Sequence, residues 1–273
     1  MNGIVEKHFE KIGARVRIRP LDPPRTWSRR SLVQGPLGLR MDVRRDRRGE
    51  YFDIAIDVRQ TTLEVLDARP RQRHLLLLSR HNARGTKEKF LCGHDERHWF
   101  VAAIPGRSAA TVLTALEALK PPAVREAQAR HAVPAHRRNR RHNPAFVRQG
   151  EWFFVPAATF PAQREEILRR EPIRRGGSKA HVVEYVFRTG GETVYVSHLS
   201  PNGLSQREYE ALLARNPAAR RARWQVMRRN AGVFARGRVW HPDHRTITLN
   251  GWHRVLPNTE TEAPAMRNVA FLD

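Results

Sequence analysis

The chain has one cysteine, Cys92, so it cannot form an intrachain disulfide framework, and such sparing use suits a reducing compartment. It has no apolar run near the roughly 18 to 20 residues that a membrane helix needs. The leucine run, Leu75 to Leu78 after His74, has the length of a buried strand. Charges run through Met1 to Ile12, which lacks an apolar stretch of signal-peptide length, so a cytoplasmic location is expected and no membrane partner. Acid is the most consequential shortage: 27 Asp plus Glu stand against 50 Lys plus Arg, a formal net charge of +23. GC-rich codons would favour Arg over the six lysines, but such codons also supply Asp and Glu, so a codon preference does not account for the missing acids. Self-repulsion at this charge costs stability, and a polyanionic partner relieves it. DNA or RNA is the expected partner, either directly or within a larger nucleoprotein assembly.

Recognised motifs are missing too. The sequence contains no P-loop, G-x-G-x-x-G, G-x-S-x-G, H-E-x-x-H, EF-hand, zinc-finger or RNP pattern. Nucleotide-dependent, serine-hydrolase and common metalloprotease chemistries therefore lack support, as does base-specific readout by a familiar module. Binding through phosphates remains.

What is present is the composition of a folded chain: 273 residues, 40% hydrophobic and 28% charged. The expected class is α+β, mostly antiparallel sheets with a few short helices in two lobes. The first lobe would span 1–122, a basic linker 123–148 and the second lobe 149–273. Residues 1–48 mix short apolar pieces with Pro and Gly and read as an irregular or partly stranded entry. From Tyr51 the alternation of Phe52, Ile54 and Ile56 has the period of a half-buried strand. Strands follow at Leu63 to Leu66, Arg73 to Ser79, Lys89 to Cys92 and Trp99 to Ile104. A helix from Ser108 to Leu119 is capped by Ser108 and stopped by Pro121-Pro122. In the linker, Arg125, Arg130, Arg137, Arg138, Arg140, Arg141 and Arg148 meet a single acid, Glu126.

The second half opens with a strand at Glu151 to Pro156 and a basic, mostly helical stretch at Gln163 to Arg170. His181 to Arg188 and Thr193 to Ser197 read as a hairpin about Thr189-Gly190-Gly191-Glu192. Ser205 and Glu208 have capping-box spacing at the start of a helix to Arg215. A second helix, Ala218 to Arg229, would carry Arg220, Arg221, Arg223, Arg228 and Arg229 beside Trp224, with Met227 at helical spacing. Strands return at Val233 to Trp240 and Thr246 to Leu249. The linker arginines Arg137, Arg138, Arg140 and Arg141 and this helix are the candidate phosphate contacts, because a merely solvated face usually mixes signs.

Two clusters carry possible chemistry. In the first, His241-Pro242-Asp243-His244 sits at a hairpin end and His253 follows nine residues after His244. These three imidazoles are the candidate ligands for zinc or another divalent metal, which takes three protein nitrogens and keeps an open position in catalytic sites. His181 or Glu184 is placed to complete the set. With or without metal, His181, Glu184, His241, His244 and His253 are the candidate catalytic residues of a phosphodiester hydrolase, the alternative to a non-catalytic nucleic-acid-binding protein. The second cluster, Cys92-Gly93-His94-Asp95-Glu96-Arg97-His98-Trp99, is dense in ligand types, but it reads as a hairpin loop with one thiol where structural zinc recruits paired cysteines.

Arg148-Gln149-Gly150-Glu151-Trp152-Phe153-Phe154, together with His241-Pro242-Asp243-His244 and Gly251-Trp252-His253-Arg254-Val255, resembles segments of a family of uncharacterised bacterial proteins. The resemblance is best in the C-terminal half. It implies no activity and assigns no functional residue.

Overall fold

A computed structural model describes residues 2–21, 33–34, 38–106, 108–157, 166–175 and 179–263. The described chain mixes helices with several largely antiparallel sheets and divides into two compact units, one formed by the described residues of 2–144 and 258–263 and one by those of 145–257.

Unit 1 begins with helix α1 (Asn2–Lys11), where an irregular entry is expected. Val5, Phe9 and Ile12 are spaced by four and three residues, form one buried stripe, and bring Phe9 to 4.9 Å from Phe52 between ring centroids. Strands β1 (Val16–Pro20), β2 (Val33–Gln34), β3 (Leu39–Asp46) and β4 (Gly49–Ile56) form a sheet of order β1-β4-β3-β2, with β1 parallel to β4 and the rest antiparallel. The expected alternation is here: Phe52, Ile54 and Ile56 are buried on β4. A meander of β5 (Thr61–Arg69), β6 (His74–His81), β7 (Lys87–Asp95) and β8 (His98–Ala103) forms the second sheet, at the four places where strands are expected.

The leucine run on β6 is buried on both faces. Leu75 and Leu77 join the core shared with Phe52, Ile54 and Phe90, while Leu76 turns to a second cluster with Leu91, Val112, Ala115 and Leu119. A strand covered on both sides needs no polar alternation, and each such side chain contributes about 1.5–3 kcal/mol of burial.

Helix α2 (Val112–Ala118) lies against this sheet but starts later than expected. Its cap is Thr111, not Ser108: the Thr111 hydroxyl accepts from Thr114 N at 3.2 Å, and Val112 N donates to the Asp67 carboxylate at 2.9 Å. Asp67 thus satisfies an orphan donor of the first turn from a neighbouring strand. Pro122 does not only stop α2 but opens helix α3 (Pro122–Arg130), which buries Val124, Ala127 and Gln128 in what reads as linker. Proline is suited to the first helical position because its missing N–H has no intrahelical partner there. A single turn at Ala135–Arg137 and strand β9 (His142–Asn143) complete that stretch.

Unit 2 is built from β10 (Phe146–Gln149), β11 (Trp152–Pro156), β12 (Leu168–Ile173), β13 (His181–Thr189), β14 (Glu192–Ser197), β15 (Ser200–Leu204), α4 (Gln206–Arg215), β16 (Gln225–Arg229), β17 (Gly232–Trp240) and β18 (Ile247–Pro257). Its strands form an antiparallel sheet of order β12-β13-β17-β18-β11-β10 and a three-stranded sheet β15-β14-β16. Trp152, Phe154, Ile173, Val183, Val233, Val239, Leu249 and Val255 make the core on one face of the larger sheet.

Three expectations are corrected. Leu168 to Arg170 are strand, not helix, while Gln163 lies outside the described residues. The helix expected at Ala218 to Arg229 is a short 3-10 turn, Pro217–Arg221, followed by β16. The Gln225 to Arg229 stretch pairs with β14, and its Val226 and Arg228 point to solvent where a helix would have needed a core stripe. Finally, β13 and β14 do not pair with each other. β13 pairs with β12 and β17, and β14 with β15 and β16, so the chain passes from one sheet to the other at Gly190-Gly191. The facing strand crosses alongside, since Thr189 pairs with Gly232 and Glu192 with Arg229. At Gly191, with φ +80°, a Cβ would stand 2.9 Å from the Ala231 and Arg229 backbone, so the crossing is closed to any larger residue. Helix α4 is as expected, with Ser205 and Glu208 capping each other.

Candidate metal centre

β17 and β18 form the expected hairpin, with Val239 opposite Ile247, and residues 241–246 make its loop. β13 begins at His181, whose neighbour Val182 pairs with Trp240, so His181 arrives beside the loop. The result is a cluster of His181, His241 and His244, whose candidate ligand nitrogens all lie within 4.8 Å of one another. Ring centroids are 4.1 Å apart for His181 and His241, 4.6 Å for His241 and His244, and 5.6 Å for His181 and His244. A tetrahedral ion bound at about 2.0–2.1 Å would draw the nitrogens to roughly 3.4 Å, a change within reach of small ring rotations.

The three residues differ in their surroundings. His181 is fully buried against the edge of Trp152, and neither of its ring nitrogens has a hydrogen-bond partner. Leaving a buried polar group unpaired costs about 1–3 kcal/mol. Burial, reinforced by His241 and His244, pushes its pKa down to about 3, so the ring is neutral and keeps a lone pair. His241, half-buried, is also held below its ordinary value, first by burial and then by His244, with Asp243 and a backbone hydrogen bond at Lys179 acting the other way. Its Nδ1 accepts from Asp243 N at 3.1 Å. The Asp243 carboxylate is taken by Lys179 Nζ at 2.7 Å.

Two residues outside the histidines shape the cluster. Gln149, fully buried, donates from Nε2 to the Arg245 carbonyl at 2.7 Å and to the Val239 carbonyl at 3.3 Å, tying together both ends of the loop. Gly150, at φ +57°, passes so close that a Cβ there would lie 2.7 Å from His244 Nε2 and 3.4 Å from His181 Nε2. β10 and β11 thus supply Gln149, Gly150 and Trp152 around the histidines of the loop, and β18 pairs with β11 from Trp152 to Pro156.

His253 does not join them. β18 runs on past Leu249, so His253 pairs with Ala235, roughly 13 Å down β17 from Val239 at the usual strand rise. It is buried on the core face, its Nδ1 is 3.0 Å from the Gly251 carbonyl, and burial holds its pKa low. His181 takes the place that the sequence spacing gave to His253. Glu184 is also elsewhere, at a bulge of β13, where its carboxylate accepts from Arg238 N at 2.8 Å and is held below its ordinary pKa chiefly by that bond.

The candidate phosphate contacts fall in both units. Arg137 and Arg140 are exposed in unit 1, Arg138 donates to the Val133 carbonyl at 3.1 Å, and Arg141 is engaged by Asp95 and Glu96. In unit 2, Arg220, Arg221 and Arg223 are exposed, Arg228 reaches the Gly190 carbonyl at 2.7 Å, and Arg229 pairs with Glu192 at 2.7 Å. Trp224 packs edge-on to Tyr209, 4.9 Å between centroids, which is a structural role.

Comparison of the chain with protein-family models, with curated proteins and with solved structures finds no match. Among the described residues no helix is long and apolar enough to cross a membrane.

Proposed function

We propose that this two-lobed, cytoplasmic protein binds nucleic acid, mainly through phosphates, by itself or within a nucleoprotein assembly. The supporting observation is unbalanced charge: against a net +23, Arg137, Arg140, Arg220, Arg221 and Arg223 stand exposed, with no carboxylate partner among the described residues. Cations held in solvent without counterions are what a polyphosphate neutralises, releasing its condensed ions. Titration of labelled duplex and single strands across a salt series tests it. With six to ten phosphates contacted, affinity falls roughly a thousandfold or more between about 50 and 200 mM salt. A flat response removes the reading. Co-purifying proteins that survive nuclease treatment would point to the assembly.

A second reading, a metal-dependent phosphodiester hydrolase, has its own support in the unsatisfied nitrogens of His181. Three imidazoles suit zinc, and an open fourth position would supply a Lewis acid and an acidified water. His181 and His241, kept unprotonated by burial, are the residues ready to hold it. Elemental analysis of the purified protein, followed by incubation with single- and double-stranded substrates, tests this reading. Zinc near one equivalent with cleavage supports it, and intact nucleic acid after zinc loading sinks it.

A further inference from the structure

The face of the large unit 2 sheet opposite its core carries a row that the sequence pattern did not suggest. Arg169 on β12, Tyr185 on β13, Arg236 on β17 and Trp252 on β18 lie side by side across four adjacent strands. Register fixes the row, since Tyr185 pairs with both Arg169 and Arg236. The guanidinium of Arg169 is 5.6 Å from the centre of the Tyr185 ring, and that of Arg236 is 5.0 Å from Tyr185 and 5.2 Å from Trp252. Toward the hairpin loop the alternation continues with Arg238, 5.1 Å over Trp240. Away from the loop, Arg254 faces Phe234.

Arg169, Arg236, Arg238 and Arg254 are exposed, and Tyr185, Trp240 and Trp252 are half-buried. The cations are poorly matched by acid. Among the described residues Arg169, Arg236 and Arg254 have no ion pair, and the nearby carboxylate of Glu184 is occupied by Arg238. Aromatic and guanidinium planes separated by one strand spacing, about 4.8 Å, offer alternating surfaces for bases and charges for phosphates.

We infer that this face is a binding platform for an unpaired nucleic-acid strand, whose bases stack on Tyr185, Trp252 and Trp240 while the arginines hold its phosphates. The inference rests on the nucleic-acid reading above and names its site and strand type. A duplex keeps its base faces stacked on one another, so rings on a flat sheet have nothing to stack on there, whereas unpaired bases splay out onto such rings. Stacking and phosphate contacts do not read the sugar, so DNA and RNA strands bind alike.

The test is fluorescence anisotropy on the full chain with a labelled oligo-dT strand, an oligo-U strand and a duplex of equal length, at fixed moderate salt. The wild type binds both single strands more tightly than the duplex, and tryptophan emission is quenched on binding. Tyr185→Ala and Trp252→Ala each weaken single-strand binding by about fivefold to a hundredfold, with little change for the duplex. Trp252→Phe retains most of the affinity while losing part of the quenching. Should Trp252→Ala fail to fold, the exposed charge reversals Arg236→Glu and Arg254→Glu carry the same prediction. Single-strand affinity within twofold of wild type in folded variants, or a duplex preference, overturns the platform and leaves the nucleic-acid reading standing. A wild type that binds no nucleic acid at low salt overturns both.

Discussion

Two clusters of ligand-type side chains sit one in each unit, and they resolve differently. In unit 1 the run from Cys92 to Trp99 closes a tight hairpin at Glu96-Arg97, and its carboxylates and His98 are engaged. His98 Nδ1 is 2.5 Å from the Glu50 carboxylate, whose other oxygen accepts from Trp99 N at 2.9 Å, while Asp95 and Glu96 hold Arg141. Burial raises the pKa of the Cys92 thiol far above its ordinary value, so it behaves as a small apolar side chain. In unit 2 the cluster leaves His181 buried with both nitrogens unsatisfied. Ligand density alone did not separate the two. The unanswered lone pair did.

Removing one imidazole from each cluster separates the two most strongly. His181→Ala is expected to weaken zinc binding more than about a hundredfold, beyond the usual cost of losing a supporting residue, whereas His98→Ala leaves zinc binding unchanged. A competitive chelator titration reads both, and equal behaviour ends the distinction. Next in size is Gly150→Ala, which forces a Cβ against His244 Nε2 at a left-handed backbone position and should cost about 1–3 kcal/mol in a denaturant melt. Gln149→Leu removes the tie between the loop ends, and a stability loss of about 1–2 kcal/mol with roughly tenfold weaker zinc binding is expected.

A separate effect is on the pH dependence of metal-free protein. His181 binds a proton less readily folded than unfolded, with a pKa of about 3 against the ordinary 6.5. As pH falls below 6.5 the unfolded chain therefore takes up the proton first, so stability declines until about pH 3 and then levels. His181→Phe should flatten that slope in melts followed from pH 7 to 4, and an unchanged slope would mean that another group carries it.

Much of the fold can be read from period and punctuation. β4, the strands from β5 to β8 and the capped helix α4 follow from alternation, turn residues and the Ser205 to Glu208 spacing. What could not be read has specific causes. Trp224 and Met227 have helical spacing in a stretch otherwise rich in Arg and Ala, which carry no apolar period, and only the pairing with β14 makes Gln225 to Arg229 a strand. Two glycines at positive φ can reverse a chain or pass it between sheets, and only the identity of the flanking strands decides. The density of His241 and His244 marks them in the sequence, whereas His181, some sixty residues upstream, becomes their neighbour only through the pairing of β13 with β17, and β18 runs on past Leu249 and carries His253 away. Gln149 and Gly150 gave no signal beyond a turn between two strands. Their work depends on a loop some ninety residues away.

The crossing at Gly190-Gly191 has a mechanical consequence. Both sheets of unit 2 are threaded by the same two stretches of chain, β13 into β14 and β16 into β17, so neither can open without fraying the ladder of the other. The amides from His181 to Ser197 and from Gln225 to Trp240 should therefore exchange with solvent as one cooperative block, and ligands that steady the end at His181 should slow exchange at the far end of β14.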